Sequence, residues 1–301
     1  MRPVLFLSFL LATTVVTSGQ RPTFRTGVDL VTFGVSAVDK KGNLVADLSQ
    51  DDFVVIEDGT PQVVQYFARG DGETAPPIHL GLLLDTSGSM QHDINLARGA
   101  SIKFLNLLPE AEDITLVDFD TEVRVTRYPQ RDFARMVERI RKRKPDGFTA
   151  LYDAIGVYLD GADQQTGRSV LVMYTDGADS RSTMSFSNVL DLLKASQTTV
   201  YAVGLLENTG SYKNELRMRL QQMVEATGGQ AFFPYTLKDL DSSYEKVLAE
   251  IKAQYHLGYV PTNNTPDGSW RKVEIKIKRS DAKTRTRKGY FAPYKKPSEQ
   301  P

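Results

Sequence analysis

The chain has 301 residues, 41% of them hydrophobic and 25% charged, with 37 basic and 37 acidic side chains and no cysteine. That is the make-up of a globular protein with room for one large or two ordinary domains. Balanced charge supplies no global field for nucleic acid or an anionic surface, and the missing thiols exclude disulfides, thiolate metal sites, cysteine nucleophiles and a lipid-bearing cysteine.

Residues 1–20, MRPVLFLSFLLATTVVTSGQ, place a single basic residue, Arg2, before an apolar run from Val4 to Ala12 and then small and polar residues. This layout predicts a cleaved secretory signal peptide, because the apolar run is shorter than the roughly 20 residues that span a bilayer. Export to the periplasm or the extracellular space follows from that reading. No later run reaches spanning length, so no transmembrane segment is expected.

Residues 23–70 read as strands and turns. VDLVTFGVSAVD alternates, with Val31, Phe33, Val35 and Ala37 on one face, DKKGN makes a turn, and DFVVIEDGTPQVVQYFA carries two more strands around Asp58-Gly59. A Gly/Pro-rich linker, 71–77, then separates this β-segment from a different rhythm.

From 78 to 253 strands alternate with helices. IHLGLLLDT is a near-continuous apolar strand, followed by a helix with Ile94, Ala97, Phe104, Leu105 and Leu108 at helical spacing and Pro109 at its end. Strands DITLVDFD and EVRVTR, helices over about 131–143 and 150–161, strand SVLVMYTDG, helix SFSNVLDLLKASQ, strand TVYAVGLL and helix NELRMRLQQMVEAT continue the series. A short strand, AFFPY, and a helix carrying Leu240, Tyr244, Val247, Leu248 and Ile251 close it. Such alternation predicts an α/β fold with a doubly wound, mostly parallel sheet, whose binding edge is the carboxyl end of the strands.

Residues 254–294 return to strands: YHLGYVP, KVEIKIKR with Val273, Ile275 and Ile277 on one face, and TRTRKGYFAP as a third. Neither flank alone holds enough strands for a stable sheet, so the two are expected to pair into one small β-domain with the α/β domain inserted between them. Residues 295–301 read as a disordered tail.

The chemistry concentrates where the first apolar strand of the α/β domain ends. Asp85, Ser87 and Ser89 present a carboxylate and two hydroxyls at alternate positions. DGFTALYDA sets Thr149 at the start of a helix, and MYTDGADS sets Asp176 at the end of a later strand, all at the same edge of the expected sheet. Oxygen donors of this kind suit a hard divalent cation; a polar turn whose Ser and Asp bond backbone amides is the plainer alternative.

Asp85-Thr86-Ser87-Gly88-Ser89, Thr149 and Thr175-Asp176-Gly177 together resemble the metal-ion-dependent adhesion site of von Willebrand factor type A domains, and the likeness spans about 78–251. The flanks, VSAVDKKGNLVADLSQDDFVVIEDGTPQVVQYF and YHLGYVP with RTRKGYFAP, resemble the ends of a bacterial exported family described only as von Willebrand type A-related. The resemblance implies a non-enzymatic interaction or adhesion module. In it Ser87 and Ser89 bind Mg²⁺ directly, with Mn²⁺ or Ca²⁺ as alternative ions. Thr149 binds directly or through water, and Asp85 and Asp176 act mostly through waters. A protein partner then supplies an Asp or Glu carboxylate. One departure is visible: Gly147-Phe148 stands where relatives often have Gly-Gly.

Two other readings keep the same residues. Asp85 could be the nucleophile of a Mg²⁺-dependent phosphoryl-transfer enzyme, although Ser87 stands where such enzymes commonly carry a second Asp and no phosphate clamp accompanies it. The fold could also serve as a metal-free envelope scaffold. The run RIRKRKPDG, with Arg139, Arg141, Lys142, Arg143 and Lys144, reads as a solvated helix C-terminus rather than a nucleic-acid site. Asp118 and Asp120 read equally as supports of the site or as turn acids, and His79, His92 and His256 as structural residues.

Overall fold

The structure is a computed structural model and describes residues 30–72, 74–107 and 111–295. The expected signal peptide, the tail beyond Lys295, and Leu108 and Pro109 at the expected helix end lie outside the described residues.

β1 (Val31–Asp39) turns Phe33, Val35 and Ala37 inward through the two-residue period of a strand. β2 (Phe53–Glu57) and β3 (Thr60–Gln62) form a hairpin across Asp58 and Gly59, whose φ values of 46° and 85° are those a tight turn between twisted strands needs. β4 (Val64–Arg69) completes the N-terminal flank. β5 (Ile78–Asp85) is buried at every position, as its apolar run requires. Then come α1 (Ile94–Leu107), β6 (Ala111–Phe119), β7 (Val123–Pro129), α2 (Phe133–Lys142) and α3 (Leu151–Ala162). β8 (Arg168–Thr175), α4 (Phe186–Ala195), β9 (Thr199–Gly204), α5 (Lys213–Thr227), β10 (Ala231–Phe232) and α6 (Leu237–Ala253) complete the inserted domain.

Its six-stranded sheet runs β10-β9-β8-β5-β6-β7, parallel except for β7, which returns antiparallel to β6 through a short turn. Leu80, Leu82 and Leu84 face one helical layer, where Phe104 of α1 and Tyr244 of α6 pack. Leu83 faces the other, with Leu151, Val189 and Leu220 from α3, α4 and α5. This is the doubly wound arrangement that the sequence predicts.

The flanks pair across the inserted domain. β11 (Tyr255–Tyr259), β12 (Trp270–Ile277), β13 (Ala282–Arg285) and β14 (Gly289–Phe291) join β1–β4 in two four-stranded antiparallel sheets, β13-β1-β11-β4 and β14-β12-β2-β3. Each sheet draws strands from both ends of the chain, and their facing sides enclose Phe33, Val35, Phe53, Val55, Tyr255 and Ile275. Buried Glu57 is satisfied there by the hydroxyls of Tyr259 and Tyr290, at 2.7 and 2.9 Å.

The stretch TRTRKGYFAP, expected as one strand, is instead two, β13 and β14, which lie in different sheets. The residues between them turn out of the ladder to join the two domains. Thr286 Oγ1 donates to the Gly34 carbonyl at 2.8 Å, and Arg287 donates to the carbonyls of Thr32 at 2.8 Å and Ser196 at 3.4 Å.

Glu250, on α6, is the centre of that junction. Its Oε1 accepts from Ser36 Oγ at 2.8 Å and from Tyr201 OH at 3.0 Å, and its other oxygen pairs with Arg285. The three partners come from β1, β9 and β13, so one buried carboxylate ties helix, central sheet and β-sandwich together. Gln254 alone separates α6 from β11, and its carbonyl accepts from Gly70 N at 2.8 Å. The sandwich therefore sits under the amino ends of β8 and β9 and leaves their carboxyl ends open.

Removing one partner of a buried ion pair strands the other, at a cost of about 3–5 kcal/mol. Glu250→Ala is expected to lower the unfolding free energy by about 3 kcal/mol in urea titration, and Glu250→Gln, which keeps an acceptor for Ser36 and Tyr201, by less. A second expectation concerns His256, which burial and the Arg168 guanidinium push down to about 3. The native ring refuses a proton that the unfolded ring accepts, so this contribution is complete above about pH 6.5 and is lost as pH falls toward 3. His256→Phe should show a shallower loss of stability between pH 6.5 and 4 than the parent chain, measured by urea midpoints.

Candidate metal centre

β5 delivers Asp85 to the carboxyl edge of the sheet, and the chain then breaks into a short 3-10 turn, Gly88–His92. Asp85 is 0% exposed and is held from three directions. Ser87 Oγ donates to its Oδ1 at 2.6 Å and Ser87 N to the same oxygen at 3.0 Å, while Thr175 Oγ1, at the end of β8, donates to Oδ2 at 2.6 Å. Since the Ser87 proton goes to Asp85, the lone pairs of Ser87 Oγ face away from it, toward Ser89 Oγ at 3.0 Å. Ser87 is buried and Ser89 exposed, so this row of oxygens runs from the interior to the surface.

Asp176 follows Thr175 and is 4% exposed; its Oδ1 accepts from Ala178 N at 2.9 Å. Burial first, and the Asp176 carboxylate second, push the Asp85 carboxyl up to about 7 against the pull of its Ser87 and Thr175 donors. Two carboxylates close enough to repel, in a buried setting with neutral donors, form a place where a cation is favoured.

Thr149 reaches the same edge by another route. Its carbonyl accepts from Ser180 N and Arg181 N, each at 2.9 Å, and its own N–H donates to Ser180 Oγ at 3.1 Å, which ties it to the loop after β8. One residue on, Ala150 N donates to the Asp120 carbonyl at 3.0 Å, and two residues back the Gly147 carbonyl accepts from Gly88 N at 3.0 Å. The loops after β5, β6 and β8 and the segment before α3 are thus laced together. Direct hydrogen bonds join Asp85, Ser87 and Ser89; Asp176 reaches Asp85 through charge, and Thr149 is placed by its backbone.

Gly147 has φ +71°, and a Cβ there would stand 2.4 Å from Thr121 Oγ1, so the residue before Phe148 is confined to glycine. Phe148 N donates to that same hydroxyl at 2.9 Å, and its side chain is 62% exposed. The bulky residue at this position therefore points its ring into solvent at the rim rather than filling the loop.

The basic run differs from its expected role. Arg139 and Arg143 do not lie on a solvated face: with Arg124 they converge on Asp118, a wholly buried carboxylate, at N–O distances of 2.6, 2.6 and 2.7 Å. Arg141, Lys142 and Lys144 remain exposed. Asp120 accepts from Glu122 N at 3.0 Å, as a turn acid does, and also from Arg124 at 2.6 Å. Sequence spacing could not find this cluster, because its members come from β6, β7 and α2. Thr175 and Thr121 also escaped the expected site set, though Thr175 stands beside Asp176 in the strand-ending Thr-Asp-Gly.

Among the described residues no group of three or more His, Cys, Asp or Glu side chains is placed to hold a metal, so a cation here would depend on hydroxyl oxygens. The donor set fits a hard ion of that kind: Asp85, Ser87, Ser89 and Asp176 gather oxygen alone, and the Thr149 hydroxyl stands at the same edge.

Residues 79–251 match the family profile of the von Willebrand factor type A domain. The chain belongs to the von Willebrand factor type A family. A search of curated proteins finds no match. Among solved structures, the chain is similar to the PilB minor pilin from Streptococcus sanguinis, with 14% identity and TM-score 0.47 over 60% of this chain. The match spans 63% of that pilin's length. A von Willebrand factor type A protein from Catenulispora acidiphila aligns over 92% of this chain and 76% of its own, with 12% identity and TM-score 0.48. The vWF domain of the type V pili tip protein Mfa5 from Porphyromonas gingivalis aligns over 59% of this chain and 97% of its own, with 11% identity and TM-score 0.49.

Asp118 sets the Arg124, Arg139 and Arg143 side chains of the type A domain. Asp118→Asn should leave three guanidinium groups facing one another and lower stability by about 3 kcal/mol or more, read from chemical denaturation, with partial recovery at high salt.

Proposed function

We propose that the chain is an exported, non-enzymatic protein-interaction module. Asp85, Ser87, Ser89, Thr149 and Asp176 hold Mg²⁺, with Mn²⁺ or Ca²⁺ as alternatives, and a protein partner contributes an Asp or Glu carboxylate. The observation that carries this reading is the continuous row of oxygens from wholly buried Asp85 through Ser87 to exposed Ser89. Family membership of residues 79–251 supports the interaction role.

The ion, when bound, supplies positive charge that both carboxylates lack and a position that an outside carboxylate can take. The chain's residues do the rest. Asp85 accepts hydrogen bonds from the Ser87 and Thr175 hydroxyls, which turns the Ser87 lone pairs outward. Asp176 adds negative charge behind the hydroxyls, and the backbone bonds of Thr149 fix its loop against Ser180. Phe148, exposed at the rim, offers apolar contact to whatever approaches.

The phosphoryl-transfer alternative fares worse on the same geometry. A nucleophile has to reach its substrate, yet Asp85 is fully buried with both oxygens engaged by donors at 2.6 Å. Export rests on residues 1–20 alone; among the described residues no helix is long and apolar enough to cross a membrane.

Two measurements test the reading. Mg²⁺ at about one hundred times its dissociation constant should stabilise the chain by about 2.7 kcal/mol in thermal unfolding, an effect absent in Ser87→Ala. The stabilisation should weaken as pH falls below about 7, where a proton competes for Asp85. In pull-downs from envelope and medium fractions, Asp85→Ala should match wild type in EDTA and fail to recover the Mg²⁺-dependent partner. Equal capture by both proteins with Mg²⁺ present would refute the metal-bridged contact.

A further inference from the structure

The outer face of the β13-β1-β11-β4 sheet meets the amino ends of β8 and β9 over a cavity of about 310 Å³. It lies at the opposite edge of the central sheet from Asp85, about 26 Å away along an eight-residue strand. Because Phe33, Val35, Tyr255 and Leu257 point into the sandwich, alternation turns Gly34, Gln254 and His256 the other way, and these residues line the cavity. Gly34 makes the room: a Cβ there would stand 3.0 Å from the Gln254 carboxamide.

The cavity is lined by polar side chains, several of which make no side-chain hydrogen bond within the protein. Gln254 is 4% exposed, Thr199 6% and His256 7%, and all three line this cavity. Among the described residues neither the Gln254 carboxamide nor the Thr199 hydroxyl has a hydrogen-bond partner. His256 Nε2 accepts from Arg168 Nη1 at 3.4 Å, which assigns the ring proton to Nδ1, and Nδ1 has no protein acceptor. Gln197, at the mouth, uses its Oε1 to accept from Thr32 at 3.2 Å and leaves its amide N–H groups over. Among the described residues no Asp or Glu lines the cavity and the Arg168 guanidinium does, which disfavours a cationic ligand. The ring of Tyr66 forms one wall.

Carboxamides that both donate and accept, a hydroxyl, a neutral imidazole N–H and an aromatic wall are the complement of a ring bearing several hydroxyls. We propose that this cavity is a binding site for a neutral, hydroxyl-rich ligand of about monosaccharide size. Gln254 and Thr199 recognise its hydroxyls in the interior, and Gln197 closes over it at the mouth. The site is separate from the metal centre and does not depend on it. It places a small-molecule site between the sandwich and the amino ends of β8 and β9.

The test is saturation-transfer NMR on the full chain with glucose, galactose, mannose and N-acetylglucosamine at millimolar concentration, with the dipeptide Gly-Gly as the control ligand. Transfer to at least one sugar is expected, and it should persist in EDTA and in Ser87→Ala. Gln254→Leu should weaken that sugar by about tenfold, the worth of one good hydrogen bond to a buried partner. Gly34→Ala, which narrows the cavity without removing a polar group, should weaken it as well, with circular dichroism confirming that both variants fold. Absence of transfer to every sugar overturns the proposal, as does transfer to Gly-Gly alone. Undiminished binding in folded Gln254→Leu and Gly34→Ala overturns it too.

Discussion

A carboxylate at the end of a buried strand is expensive, and the carboxyl edge of this protein is organised around that cost. Asp85 arrives there because β5 is buried throughout, so its last residue is as deep as its first. Three neutral donors hold it, and a second carboxylate, Asp176, stands close enough to oppose its ionisation. Without added positive charge the arrangement favours a proton on Asp85; in the proposed function a cation takes its place, with the hydroxyls of Ser87 and Ser89 as ligands.

Three other buried carboxylates are settled differently. Asp118 gathers Arg124, Arg139 and Arg143, Glu250 takes Arg285 together with Ser36 and Tyr201, and Glu57 accepts from two tyrosines. In the first two the cation belongs to the protein, which makes the charge structural: it joins β6, β7 and α2 in one case and the two domains in the other. Asp85 receives hydroxyl and amide donors only. The same side-chain chemistry therefore serves as a fastener where arginine is supplied and as a candidate cation site where it is not.

The inserted architecture separates the two ends of the central sheet. The sandwich attaches at the amino ends of β8 and β9 through Glu250, Arg287 and the one-residue connection at Gln254. Loops at the carboxyl ends are thus free to meet a partner, with Phe148 on their rim. Attachment at the other end is not tightly filled, because Gly34 leaves room beside Gln254 and polar side chains line the space. One chain therefore presents an oxygen-lined edge at one end and an amide-lined cavity at the other.

Local pattern alone determined the alternation of strands and helices, the apolar β5, the Asp58-Gly59 hairpin and the identity of Asp85, Ser87, Ser89, Thr149 and Asp176 as candidates, since periodicity and turn chemistry are properties of neighbouring residues. Pairing of the flanks also followed from the sequence, because short strands cannot stand alone. Tertiary structure decided what depends on distant residues. The break between β13 and β14 exists because Thr286 and Arg287 bond to β1 and to the Ser196 carbonyl, 90 and more positions away. Arg139 and Arg143 turned inward because a buried carboxylate from β6 awaited them, and Thr175 joined the site because β8 pairs with β5. The cavity around Gln254 arises from two sheets meeting edge to face, an arrangement that no stretch of neighbouring residues encodes.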